Sequence, residues 1–206
     1  PGYLVKEFEL WDNSCFEMIN LIPGDDYVGF DKLIQKGRVK NAKRLYGCNN
    51  KGKIFPQIHK NLCELRDVIL SMPPRYHIIR TRNRLKEIKH NIKKYLRYEV
   101  VEFIENDQYH KQDINEILKV KPTKHTIILV KNKLSCAKTI EKENLGVLYA
   151  FMSAKPTYST IIQSLSGRLC GYYNIDRTNI ILFTDRNIIN AYINIIKEGN
   201  WNKFKD

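Results

Sequence analysis

From residue 76 onward the chain repeats one pattern: a short apolar run rich in β-branched residues, a polar turn, then a stretch whose apolar positions recur three and four apart. Runs such as Tyr76-His77-Ile78-Ile79-Arg80-Thr81, Ile127-Ile128-Leu129-Val130 and Leu145-Gly146-Val147-Leu148-Tyr149 predict strands at 76–81, 98–104, 125–130, 145–149 and 179–183. Helical periodicity between and after them predicts helices at 84–96, 113–118, 158–170 and 187–196. Strands that stay apolar on successive residues are buried on both faces. Strand alternating with helix therefore implies a mainly parallel sheet covered by helices on both sides. The predicted fold class is α/β, and its regular part runs over 72–206.

The first 71 residues lack that order. They hold a strand-like opening at 3–8, a turn at Pro23-Gly24-Asp25-Asp26, a short helix at 30–35, a glycine-rich basic loop at 47–53 and a helix at 57–70. The break Ser71-Met72-Pro73-Pro74 follows. Residues 1–71 read as an irregular α+β segment, a linker or inserted region preceding the α/β domain.

Composition narrows the class. With 206 residues, 43% of them hydrophobic, the chain can bury a core without disulfides or metal. Five cysteines (Cys15, Cys48, Cys63, Cys136, Cys170) are scattered and five histidines do not cluster, so no disulfide framework and no metal site is expected, and an intracellular reducing compartment fits. No apolar run approaches the roughly 20 residues that cross a bilayer, and a soluble chain with no membrane partner is expected. The chain opens on Pro1 and is expected to be an excised or processed piece.

Charge changes the picture most. A formal net charge of +13 predicts attraction to a polyanion. Basic residues gather at 32–53 and 75–97, with Tyr46, Phe55, Tyr76, Tyr95 and Tyr98 among them. That mixture suits a groove that tracks a nucleic-acid backbone and stacks on bases, and DNA is the expected partner. The alternative is a solvated, lysine-rich face.

The stretch Gln163-Ser164-Leu165-Ser166-Gly167-Arg168-Leu169-Cys170-Gly171 carries the candidate chemistry. A guanidinium stays charged at any working pH and pairs bidentately with phosphate oxygens, and an adjacent glycine permits a close backbone approach. The stretch resembles the sixth motif of superfamily 2 helicases. The segment 74–194 is similar to the second RecA-like domain of that family, as in helicase-like proteins of large DNA viruses and phages. In that resemblance 76–81 stands at the first strand of the domain, 127–139 at the fifth motif and 163–171 at the sixth. Gly171 stands where the family has a second arginine.

The resemblance implies a RecA-like fold and a role as the C-terminal motor domain of an ATP-dependent helicase or translocase. Arg168 would stabilise charge on the ATP γ-phosphate, and Gln163 would position it or the attacking water, with Gly167 and Gly171 close to the nucleotide. Thr81, Arg82, Lys131, Asn132 and Lys133 would contact nucleic acid. No Gly-x-x-x-x-Gly-Lys-Thr loop and no Asp-Glu pair after a strand occurs. ATP and Mg2+ would therefore be held mainly by an N-terminal RecA-like domain of the same polypeptide, and this chain alone is expected not to hydrolyse ATP. A viral origin would put it in the host cytoplasm or nucleus. The alternative is a non-catalytic nucleic-acid-binding or partner-docking module with a degenerate RecA-like fold.

Overall fold

The computed structural model of the chain describes residues 23–81, 84–104, 113–131, 139–151, 161–162 and 164–198. Their elements, in chain order, are β1 (Tyr27–Val28), α1 (Phe30–Gln35), β2 (Val39–Asn41), α2 (Pro56–Leu70), β3 (Tyr76–Thr81) and α3 (Leu85–Asn91), which runs on into one π turn (Ile92–Leu96). There follow β4 (Glu99–Ile104), α4 (Ile114–Lys119), β5 (Thr126–Lys131), β6 (Leu145–Tyr149), a 3-10 turn (Ser166–Leu169), β7 (Gly171–Tyr172), a second 3-10 turn (Ile175–Arg177), β8 (Ile181–Thr184) and α5 (Arg186–Glu198).

Six strands form one sheet in the order β2-β8-β6-β3-β5-β4, and every neighbouring pair is parallel. The apolar runs explain this. Ile127, Ile128, Leu129 and Val130 are all 0% exposed, so β5 is covered on both faces. Successive side chains point to opposite faces and feed two cores. Ile78, Ile128, Val130, Leu148 and Leu182 pack with α1, α4 and α5. Ile79, Ile127, Leu129, Val147, Tyr149 and Phe183 pack with α2 and α3.

Local chemistry sets the helix ends. Pro56 opens α2, where its missing N–H costs nothing. Asp113 caps α4 by accepting from Asn115 N–H at 3.0 Å, and Asn144 Nδ2 donates to the Leu118 carbonyl at 2.9 Å to close its other end. Asp185 caps α5 by accepting from Asn187 N–H (3.0 Å) and Ile188 N–H (3.2 Å).

The five predicted strands are present, with the expected helices after β3, β4 and β8. Two features differ from the sequence reading. Part of the stretch read as a linker, 1–71, supplies edge strand β2, paired with β8, and helix α2, whose Ile58, Leu62, Leu65 and Ile69 belong to the second core. The helix expected at 158–170 is, over its described residues, a helical pair at Ile161 and Ile162 followed by turns and the 3-10 segment. Serines 164 and 166 and Gly167 are weak helix formers, which favours the break. The strand expected at 3–8 lies outside the described residues.

At the amino edge of the sheet, His77 is fully buried on β3. Its Nδ1 accepts the Val147 N–H at 3.1 Å, so its Nε2 carries the proton, which it shares with His125 Nδ1 at 3.0 Å. Burial first, then His125 and Arg75, hold the His77 pKa down at about 3. Between that value and the ordinary one near 6.5 the unfolded chain binds the extra proton, so stability is present above pH 6.5 and is lost as pH falls below it. Urea midpoints measured from pH 7.5 down to 4.5 should fall, with a limiting slope of about 1.4 kcal/mol per unit for one such histidine. A flat profile across that window would show that His77 is not held neutral.

Candidate functional site at the carboxyl edge of the sheet

In a parallel sheet all strands end at one edge, and the loops that leave it gather residues distant in sequence. Thr81 ends β3 and Lys131 ends β5, and the two are directly paired in register. Thr81 is 2% exposed and its hydroxyl donates to the Val130 carbonyl at 3.2 Å. It is committed to the sheet. Lys131 is half-buried beside it. Arg82, Asn132 and Lys133, the other expected nucleic-acid contacts, lie outside the described residues, as does Gln163.

The segment carrying Gly167 and Arg168 is fastened to the same sheet by two hydrogen bonds. Arg80 Nη1 on β3 donates to Ser164 Oγ at 2.7 Å, and Ser166 Oγ lies 3.0 Å from Thr184 Oγ1 at the end of β8. Ser166 and Thr184 are both 0% exposed, so this hydroxyl pair is dry. Arg168 follows in the 3-10 turn at 8% exposure. The guanidinium is held within the fold, not displayed from a long helix.

Gly167 does allow a close backbone approach, but the approaching group is internal. A Cβ at this position would stand 2.0 Å from the Ile162 carbonyl oxygen. Gly171 sits at φ +144° in β7, a backbone region that favours glycine, and pairs with Val28 in a separate two-stranded ladder. The sheet edge thus brings together Thr81, Lys131 and the Gly167-Arg168 turn. Gly171 serves the β1–β7 ladder.

Several basic residues of the two sequence clusters are neutralised by ion pairs: Lys36 with Asp176 at 2.8 Å, Lys43 with Glu64 at 2.7 Å, and Lys89 with Glu102. One residue from each cluster meets the other at the carboxyl edge. Arg44, after β2, and Arg84, after β3, lie 5.3 and 5.8 Å from the centre of the Tyr46 ring. Both arginines are exposed; Arg84 pairs with Glu87 at 4.0 Å, and Arg44 has no carboxylate partner among the described residues. Arg44 and Tyr46 belong to the interleaved basic and aromatic stretch of the sequence, yet their convergence on Arg84 depends on the loops after two strands that are not neighbours.

Other chemistry is sparse. Among the described residues no group of three or more His, Cys, Asp or Glu side chains could hold a metal ion, and no helix is long and apolar enough to cross a membrane. Cys170 is made unreactive by burial, which pushes its thiol pKa up to about 12.

The chain matches no protein family and no solved structure. It is 30% identical over 165 residues to the uncharacterized protein L594 of Acanthamoeba polyphaga mimivirus, a match that takes in 74% of this chain and 42% of the relative. The chain therefore spans less than half the length of that curated relative.

The packing at Gly167 makes a direct test. Gly167→Ala should destabilise the fold by about 3 kcal/mol in urea titration, the upper range for forcing a methyl into filled space. Gly24→Ala, whose Cβ would meet only Tyr172 at 3.8 Å, should stay within about 0.5 kcal/mol. Equal effects would mean that the turn relaxes freely around Arg168.

Proposed function

We propose that this chain is the C-terminal motor domain of an ATP-dependent nucleic-acid helicase or translocase, with a RecA-like fold. One observation carries the reading. The residues that resemble the family's first strand, fifth motif and sixth motif end at one place: Thr81 and Lys131 as neighbours in the sheet, and the Gly167-Arg168 turn tied to the same sheet through Arg80–Ser164 and Ser166–Thr184. The net charge of +13 and the similarity to a mimivirus protein agree with it.

In this reading ATP supplies the phosphoryl group whose transfer drives movement. This chain offers a cation to it and, among its described residues, no metal-binding carboxylate cluster, so MgATP falls to an N-terminal RecA-like domain of the same polypeptide. Arg168 stabilises charge on the γ-phosphate, and Gln163 positions it. Lys131 and its neighbours Asn132 and Lys133, with Arg82, hold the nucleic-acid backbone and read no sequence. At 8% exposure Arg168 must be carried outward when the two domains close. That demand favours a second reading, a non-catalytic nucleic-acid-binding module in which Arg168 only braces its turn.

The two readings separate in kinetics. The isolated chain should show no nucleic-acid-stimulated ATPase, and turnover above background would end the split-motor reading. In a polypeptide that also carries the phosphate loop, Arg168→Ala should lower hydrolysis about a thousandfold with nucleotide binding nearly intact. A folded variant with normal turnover assigns Arg168 to the second reading, and thermal melting of the same substitution in this chain establishes that it folds.

Both readings require nucleic-acid contact. Affinity should fall steeply with salt, and Lys131→Glu should reduce the salt slope by about one unit, whereas Lys197→Glu on α5 should leave it unchanged. Affinity indifferent to salt would remove both.

A further inference from the structure

Helix α3 and its π turn carry a face that neither the motor nor the binding-module reading uses. Lys86, His90, Lys93, Lys94 and Arg97 are all exposed and recur three and four residues apart, the spacing of one side of a helix. On the opposite side Ile88, Asn91, Ile92 and Leu96 are buried. From Lys86 to Lys94 the row is about 12 Å long at the rise of a helix. It leads from the carboxyl edge, where β3 ends, toward the amino edge, where β4 begins.

No carboxylate offsets this row. Among the described residues Lys86, Lys93, Lys94 and Arg97 have no acidic partner, and the acids of α2, α3 and β4 each lie against another cation: Glu64 against Lys43, Asp67 against Arg66, Glu87 against Arg84, Glu99 against Lys124 and Glu102 against Lys89. Lys93, Lys94 and Arg97 stand within one turn of one another and repel, and a polyanion laid along them relieves that repulsion.

Arg97 supplies a second, independent observation. It ends the π turn at φ 59°, ψ 31°, and among the described residues it is the one non-glycine with positive φ. Glycine takes that conformation freely and is the usual residue at a helix end. Arginine there holds a cation at the end of the row in a strained backbone, and such strain gathers at functional positions.

The same face lacks what a single strand requires. Tyr95, the ring beside the row, is half-buried, with Lys94 Nζ 5.4 Å from its centre and His59 edge-on at 5.6 Å, so it offers no open platform for a base. A row of cations on a convex helix matches a rigid backbone instead, and about 12 Å spans three to four phosphates of one strand of a duplex. We propose that the exposed face of α3 and its π turn binds the phosphate backbone of double-stranded nucleic acid through Lys86, Lys93, Lys94 and Arg97. The inference rests on the nucleic-acid-binding reading and adds a duplex contact outside the track at Lys131.

Fluorescence anisotropy of the full chain with a short labelled duplex and with oligo-dT, across a salt series, tests it. Lys86→Gln, Lys93→Gln and Lys94→Gln combined should lower the duplex salt slope by about three units and leave the oligo-dT slope unchanged. Glutamine forms helix as readily as lysine, so the urea midpoint should hold. Arg97→Gly should lower the duplex slope by about one unit without lowering the urea midpoint, a combination that a purely structural arginine does not give. A full duplex slope in the triple variant, with Lys131→Glu still lowering it, overturns the face and spares the nucleic-acid reading. An equal loss for oligo-dT overturns the duplex assignment. Polyglutamate that displaces the duplex as well as unlabelled duplex does, at equal charge, overturns it in favour of an acidic protein segment. Salt-indifferent affinity for both probes overturns this inference and the reading beneath it.

Discussion

The register between β3 and β6 is the constraint on which the carboxyl edge depends. Tyr76 pairs with Leu145 but His77 pairs with Val147, so Gly146 drops out of the ladder. The His77 imidazole takes the place of a missing partner by accepting the Val147 N–H. Only glycine fits the bulge, since a Cβ there would stand 2.6 Å from Met72 Sδ and 2.7 Å from His77 Cε1. Without the slip, every later residue of β6 would turn to the opposite face. Leu148 would leave one core, and Tyr149 would leave the other. Tyr149 stacks on Phe183 with ring centres 4.9 Å apart, and its hydroxyl bridges the backbone of Lys43, accepting its N–H at 2.8 Å and donating to its carbonyl. The loop that carries Arg44 and Tyr46 is thus positioned by a bulge at the far end of the sheet.

How far the sequence foretold this follows from which forces are local. The strands were legible because burial on both faces demands unbroken apolar runs, and those demands are written residue by residue. Strand β2 was not. Its three residues, Val39, Lys40 and Asn41, bury only Val39, as expected of a short edge strand whose pairing with β8 is set by long-range contacts. The bulge at Gly146 was equally hidden, since a glycine within a strand pattern signals a close approach without naming the histidine that makes it.

The candidate site divides the same way. Gly167 and Arg168 stood out in the sequence for their chemistry, and the structure gives Gly167 a reason that chemistry did not supply, the Ile162 carbonyl against its Cα. Several basic residues adjacent in sequence end in ion pairs with carboxylates distant in sequence, because charge runs report composition and not position. Asp185 reads in sequence as an ordinary helix cap. That it also lines a cleft with Asn41, from a strand more than a hundred residues away, is a neighbourhood no local pattern shows.

Two kinds of cation therefore share one edge. Arg168 is desolvated and held by its surroundings, and a buried charge is costly unless its geometry is fixed, so the turn around it must be stiff. Arg44 and Arg84 are solvated and rest on an aromatic ring, Arg84 with Glu87 beside it at 4.0 Å. A stiff buried cation can act only when a partner brings the anion to it or the turn is displaced. An exposed cation captures an anion from solution without rearrangement. Contact between Arg168 and any anion therefore waits on a movement of the segment pinned by Ser164 and Ser166, whereas Arg44 already meets solvent.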